Sequence, residues 1–138
     1  MEPTAILQPV IALGLWTGVM MIWMYATRIP AATKAGINPQ EAAHVKDFIL
    51  PSEVARIADN YNHLFEQPPL FYAIALAIAV MGHSDQTAVI CAWSLMILRV
   101  GHSLIQSKIN IVMLRLTVFM LSWIVLLIMM VREALVIF

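Results

Sequence analysis

Charge is scarce in this chain. Asp, Glu, Lys and Arg make up 12% of its 138 residues, about half the share usual in soluble domains. Eight basic side chains balance eight acidic ones, so no net positive charge points to nucleic acid and no polybasic tail to a lipid surface. A single cysteine, Cys91, excludes an internal disulfide framework and any multi-cysteine zinc or iron–sulfur centre. The opening Met1-Glu2-Pro3 lacks the positive flank of a signal peptide, so the first apolar stretch is expected to stay in the mature chain. There is no internal repeat, no low-complexity tract and no domain boundary, and the length suits one domain.

What fills the sequence instead is apolar. Hydrophobic residues reach 62%, with ten Met and a mean hydropathy of +0.85. A soluble chain of this length could not bury that much apolar surface. The composition predicts an all-α integral membrane protein, a bundle of four transmembrane helices. A span needs about 20 apolar residues, and four segments qualify, at about 6–27, 53–81, 86–106 and 110–137. Pro9 falls in the opening turns of the first, where a missing N–H does least harm. Residues 28–52 form a polar loop, in which Asn38-Pro39-Gln40-Glu41 reads as the start of a surface helix through about Ile49. Ser52 is expected to cap the second helix and Gly82 to close it. The two short links make helices two, three and four antiparallel neighbours. Arg28, Lys34 and Lys46 in loop one and Lys108 in loop three predict that both loops are cytoplasmic and both termini lie on the opposite side; Arg132 votes weakly against.

Charges inside a span are costly and mark functional sites by default. On helix two, Arg56, Asp59 or Asn60, His63 and Glu66 recur at three- and four-residue steps, which puts them on one face. Helix three adds Arg99, His102, Ser103 and Gln106, and helix four adds Arg115. At 1.5 Å per residue Arg99 lies roughly 12 Å from Ser107, and Arg115 roughly 8 Å from Asn110. One shared polar pocket in the cytoplasmic leaflet is expected, and three arginines against Asp59 and Glu66 suit an anionic ligand. Pro68 and Pro69 remove donors just past Glu66 and should kink helix two. The competing reading is a structural ion-pair network. His102 also reads as a hydrogen-bonded core histidine, and His63 with Glu66 offers too few ligands for a metal. Cys91 and the four Trp read as packing and interface residues.

The run Arg56-Ile-Ala-Asp-Asn-Tyr-Asn-His-Leu-Phe-Glu66-Gln-Pro-Pro-Leu-Phe71 resembles the second-helix signature of MAPEG, the membrane-associated proteins in eicosanoid and glutathione metabolism. There an Arg is followed ten residues later by Glu, then by Pro and an aromatic, here Pro69 and Phe71. Arg99-Val-Gly-His102-Ser103, with Arg115 further on, resembles the third and fourth helices, so the resemblance spans essentially the whole chain. It implies a homotrimer of four-helix bundles in contact with membrane lipids, with glutathione bound between neighbouring subunits near the cytoplasmic face. It also implies glutathione-dependent transferase or peroxidase activity on a hydrophobic small molecule, a lipophilic electrophile or lipid hydroperoxide. Arg115 matches the arginine that holds the thiolate. Arg56, Glu66 and Arg99 match glutathione contacts, and Asn62, His63, His102, Ser103 and Gln106 join them in the implied site.

The chain departs from the signature in three places. Asp59 stands where a second Arg is usual, and His63 stands where Asn is usual, although Asn62 is adjacent. Gln106 replaces a tyrosine that some members place four residues after the helix-three His. The family includes a non-catalytic lipid-binding member, so the alternative is a membrane lipid-binding or scaffold protein of the same fold. A small transporter is a third reading. The arginines disfavour hydrophobic cations as cargo, and there is no inverted-repeat symmetry.

Overall fold

Proline and glycine decide where the helices begin, break and end. The computed structural model describes residues 2, 4–38, 40 and 50–138. Helix α1 runs Leu7–Lys34, about two turns beyond the Thr27 boundary expected from hydropathy. Ala31, Ala32 and Lys34 favour helix, and the Thr27 hydroxyl donates to the Trp23 and Met24 carbonyls at 3.0 and 3.1 Å, so Pro30 is carried within the helix. Arg28 is therefore a helical residue. Gly36, at φ 70°, ends α1, with its N–H on the Thr33 carbonyl and the Ile37 N–H on the Ala32 carbonyl, both at 3.1 Å. This is the glycine-terminated reversal that only a left-handed residue permits. The Asn38 side chain accepts from the Gln40 N–H at 3.1 Å. The surface helix expected through Ile49 lies outside the described residues.

The second span is two helices, α2 (Ser52–His63) and α3 (Pro68–Met81). Ser52 is the first helical residue and not the cap; Pro51 holds the cap position, without a side-chain hydrogen bond. The break at residues 64–67 has a direct cause. A continuous helix would draw N–H donors for the Leu64 and Phe65 carbonyls from residues 68 and 69, and both are proline. Turn-type bonds replace the ladder there, Phe65 N–H to Asn62 at 3.0 Å and Glu66 N–H to His63 at 3.3 Å. Leu64 and Gln67 are buried at the break. The Gln67 side chain meets the Ser122 hydroxyl at 2.9 Å, whose proton is shared with the Phe119 carbonyl at 2.7 Å. In a bilayer core such partners are what make interrupted backbone tolerable.

Gly82, at φ 76°, ends α3 by the same reversal. Helix α4 (Gln86–Leu104) starts at Asp85, whose carboxylate accepts from the Ala88 N–H at 2.7 Å. It passes into a π-helical turn, Ile105–Ile109, so the third span runs past Gln106 to Ile109. Asn110, at φ 53°, closes the turn, and α5 runs Val112–Ile137. The four spans are long and apolar enough to cross a membrane.

The bundle interior divides lengthwise. Toward the 82–85 turn it is apolar, built from Leu13, Phe71, Ala75, Ile78, Ala92, Leu95, Leu126 and their neighbours. Toward the π turn the buried side chains include Asn60, Arg99, His102, Ser103, Gln106 and Ser107. Apolar side chains such as Ile22, Val80, Ile97 and Met113 cover the outside.

Two ion pairs tie the 82–85 turn to the end of α5. Arg132 holds Asp85 at 2.6 Å, and His83 contacts Glu133, so the one basic residue at odds with the loop charges is paired. The Arg132 guanidinium, followed by the Ala88 N–H, holds the Asp85 carboxyl below the usual carboxylate range. A lowered folded pKa stabilises above the unfolded value of about 3.9 and is lost as pH falls through the folded one. Asp85→Ala should cost about 1 kcal/mol through the lost cap. It should also reduce the loss of stability on acidification below about pH 4, both read from melting in detergent against pH.

Candidate functional site

The break in the second span brings the half-buried His63 and the exposed Glu66 together. Glu66 Oε2 accepts from His63 Nδ1 at 2.6 Å. Arg99, on α4, is fully buried. Its Nη2 donates to the His63 carbonyl at 3.1 Å, a carbonyl that otherwise receives only the long turn bond from Glu66. The guanidinium carbon lies 5.5 Å from the centroid of the Phe119 ring on α5, within the range of a cation–π contact. Nε and Nη1 of Arg99 have no partner among the described residues.

Two histidine rings pack against this phenylalanine and against each other. The His63 centroid is 5.1 Å from that of His102 and 4.9 Å from that of Phe119, and His102 to Phe119 is 5.7 Å. His102 follows Arg99 by three residues on α4 and is 2% exposed. From α5, Arg115 Nη1 donates to Asn110 Oδ1 at 3.1 Å, so the left-handed residue that closes the π turn also orients the arginine.

Two clefts adjoin this assembly. One of about 420 Å³ is lined by Asp59, Asn62, His63, Glu66, Gln106 and Arg115. The other, about 190 Å³, is lined by His63, His102, Val112, Arg115, Leu116 and Phe119. The first is mostly polar and the second mostly aliphatic and aromatic, and they share His63 and Arg115.

Residues 6–135 match the sequence profile described as the MAPEG family. The chain belongs to the MAPEG family. No curated protein and no solved structure matches it. Membership makes this a multi-pass membrane protein of the glutathione- and eicosanoid-related class, and the four spans agree with that assignment.

In this MAPEG protein the residues singled out by sequence do not share one pocket. Asn62, His63, Glu66, Gln106 and Arg115 line the polar cleft, and His102 lines the apolar one. Arg99 and Ser103 are fully buried and line neither. Arg56 is half-buried, with its Nε unpartnered among the described residues, and also lines neither cleft. The expected surplus of guanidinium is therefore not at the cleft, where Arg115 faces Asp59 and Glu66. Arg56 stands two turns, about 10 Å, before His63 on α2, and Arg99 is drawn to the backbone at the break. Sequence reasoning missed Phe119, the ring common to both histidines and Arg99. Its signal was its place one turn after Arg115 on the same helix. Asp59, counted by periodicity among the pocket's charges although it departs from the family signature, lines the polar cleft.

Arg99 combines one hydrogen bond with two unpartnered buried nitrogens. Replacing it by an apolar side chain of similar length removes the cost of an incompletely satisfied buried charge and sets that gain against the loss of one hydrogen bond to the backbone. Arg99→Met should leave melting in detergent unchanged or raised, while amide exchange through residues 63–67 accelerates as the bend loses its donor. Slower or unchanged exchange there would remove Arg99 from its place at the break.

Proposed function

We propose that this protein is a glutathione-dependent membrane transferase or peroxidase acting on lipophilic electrophiles or lipid hydroperoxides, with Arg115 stabilising the thiolate. Glutathione is a substrate in this reading. The observation that carries it is the meeting of a polar cleft and an apolar cleft at Arg115. A zwitterionic peptide thiol needs the first and a membrane-soluble co-substrate the second. The polar cleft lies within the range of about 300–1,000 Å³ usual for small-molecule sites. Its side chains suit the peptide: Arg115 for an anionic group, Asp59 and the free Glu66 oxygen for the ammonium, Asn62 and Gln106 for the amides. A thiol of pKa about 8.5 is mostly protonated at neutral pH, and an adjacent guanidinium favours the nucleophilic thiolate.

The resemblance carries the finer assignments. The ligand would lie between neighbouring copies of a homotrimer, where Arg56, remote from its own protomer's clefts, is available to the next. Arg99, His102 and Ser103 would support the ligand from beneath. Loop charge puts the site in the cytoplasmic leaflet, with both termini on the other side.

Titrating the detergent-solubilised protein with glutathione, while following thiolate ultraviolet absorbance, tests the reading. A saturable signal at neutral pH is expected. Arg115→Ala should abolish it and lower turnover far more than it lowers melting temperature; equal losses would make Arg115 structural. Glu66→Gln should weaken glutathione binding by calorimetry, and unchanged affinity would remove Glu66 from the site. Asp59 and Glu66 favour one second reading, because two carboxylates against one guanidinium suit a peptide of net negative charge poorly. Absence of glutathione binding, with retention of lipid, would establish a non-catalytic lipid-binding protein instead.

A further inference from the structure

The two clefts differ in chemistry and share two residues. Asp59, Asn62, Glu66 and Gln106 belong to the polar cleft alone, whereas His102, Val112, Leu116 and Phe119 belong to the apolar cleft alone. A sulfur anchored through its peptide in the first and reacting with a molecule held in the second must sit where they meet. His63 and Arg115 line that junction.

We propose that His63 is the general base of this site, taking the proton from the glutathione thiol, with Glu66 as its positioning partner. The inference rests on the glutathione reading above. Glu66 Oε2 accepts from Nδ1 at 2.6 Å, which fixes the tautomer of the neutral ring and leaves the lone pair on Nε2. A base held by a carboxylate on its far nitrogen is the arrangement that activates thiol and hydroxyl nucleophiles elsewhere. The ring packs on His102 and Phe119, and its backbone carbonyl is held by Arg99. The charged and titratable groups around it are Asp59 and Glu66 from the second span, Arg99 and His102 from α4, and Arg115 from α5.

The step balances without a further reactant. The S–H bond breaks and its proton moves to His63 Nε2, while Arg115 faces the sulfur's negative charge. The sulfur electron pair then forms a C–S bond to an electrophilic double bond. The displaced π pair becomes a carbanion, which takes the proton back from the imidazolium to leave a thioether and a neutral ring.

The division of labour with Arg115 is testable. A base contributes about 10²–10⁴-fold to rate, so His63→Asn should cut turnover about 100-fold or more while glutathione affinity by calorimetry changes less than about threefold. The bound thiol should ionise only at higher pH, seen directly in thiolate absorbance against pH, and the acidic limb of the rate profile that reports the ring should disappear. His63→Gln serves the same test if the asparagine variant fails to melt cooperatively. Intact binding with unchanged thiolate absorbance, pH profile and turnover would overturn the role of His63 and leave the glutathione reading standing. Failure of the unsubstituted protein to bind glutathione would overturn both.

Discussion

A guanidinium hydrogen-bonded to a backbone carbonyl inside a membrane bundle is the contact around which this structure is arranged. Arg99 donates to the His63 carbonyl at the point where two prolines end the helical ladder of the second span. Each partner makes the other tolerable. The interrupted backbone would otherwise leave a carbonyl poorly satisfied, and the buried charge would otherwise lack an acceptor among the described residues. With the bend held, the second span presents His63 and Glu66 side by side. With the arginine held, its guanidinium lies against Phe119, and the two imidazoles pack at a tilt on that ring.

The rest of the bundle is divided accordingly. Half of the interior is aliphatic and aromatic and is clamped at its far end by Arg132 on Asp85 and His83 on Glu133. The other half contains Asn60, Ser103, Gln106 and Ser107, all buried, and ends in a π turn with a left-handed asparagine. At that end a smaller apolar cluster of Met20, Met24, Ile57, Ala58 and Leu64 packs beside the polar groups, which lipid surroundings would otherwise penalise.

Much of this was legible in the sequence because hydropathy, proline and glycine act locally. The four spans and the weak point at Pro68 and Pro69 follow from residue type and spacing alone, whereas the MAPEG signature was legible by resemblance to a known family. The extension of α1 to Lys34 was hidden because hydropathy falls at Arg28 before helix propensity does. The fate of the arginines was hidden for a different reason. Periodicity places Arg56, Arg99 and Arg115 on inward faces but does not say which will be recruited by a backbone carbonyl, which will line a cleft and which will do neither. Phe119 escaped notice because an aromatic in an apolar span carries no signal until its neighbours across the bundle are known.

The shared wall between the two clefts limits how such a molecule can change. Val112 and Leu116 touch the apolar cleft alone, and Asn62 and Gln106 the polar one alone. Substitutions there can reshape one chamber while the lining of the other stays in place, so each is free to drift. His63 and Arg115 have no such freedom, since any change in either is felt on both sides at once. The clefts can therefore diversify independently around a junction that is held still, and variation among natural homologues should concentrate in the walls and spare the seam.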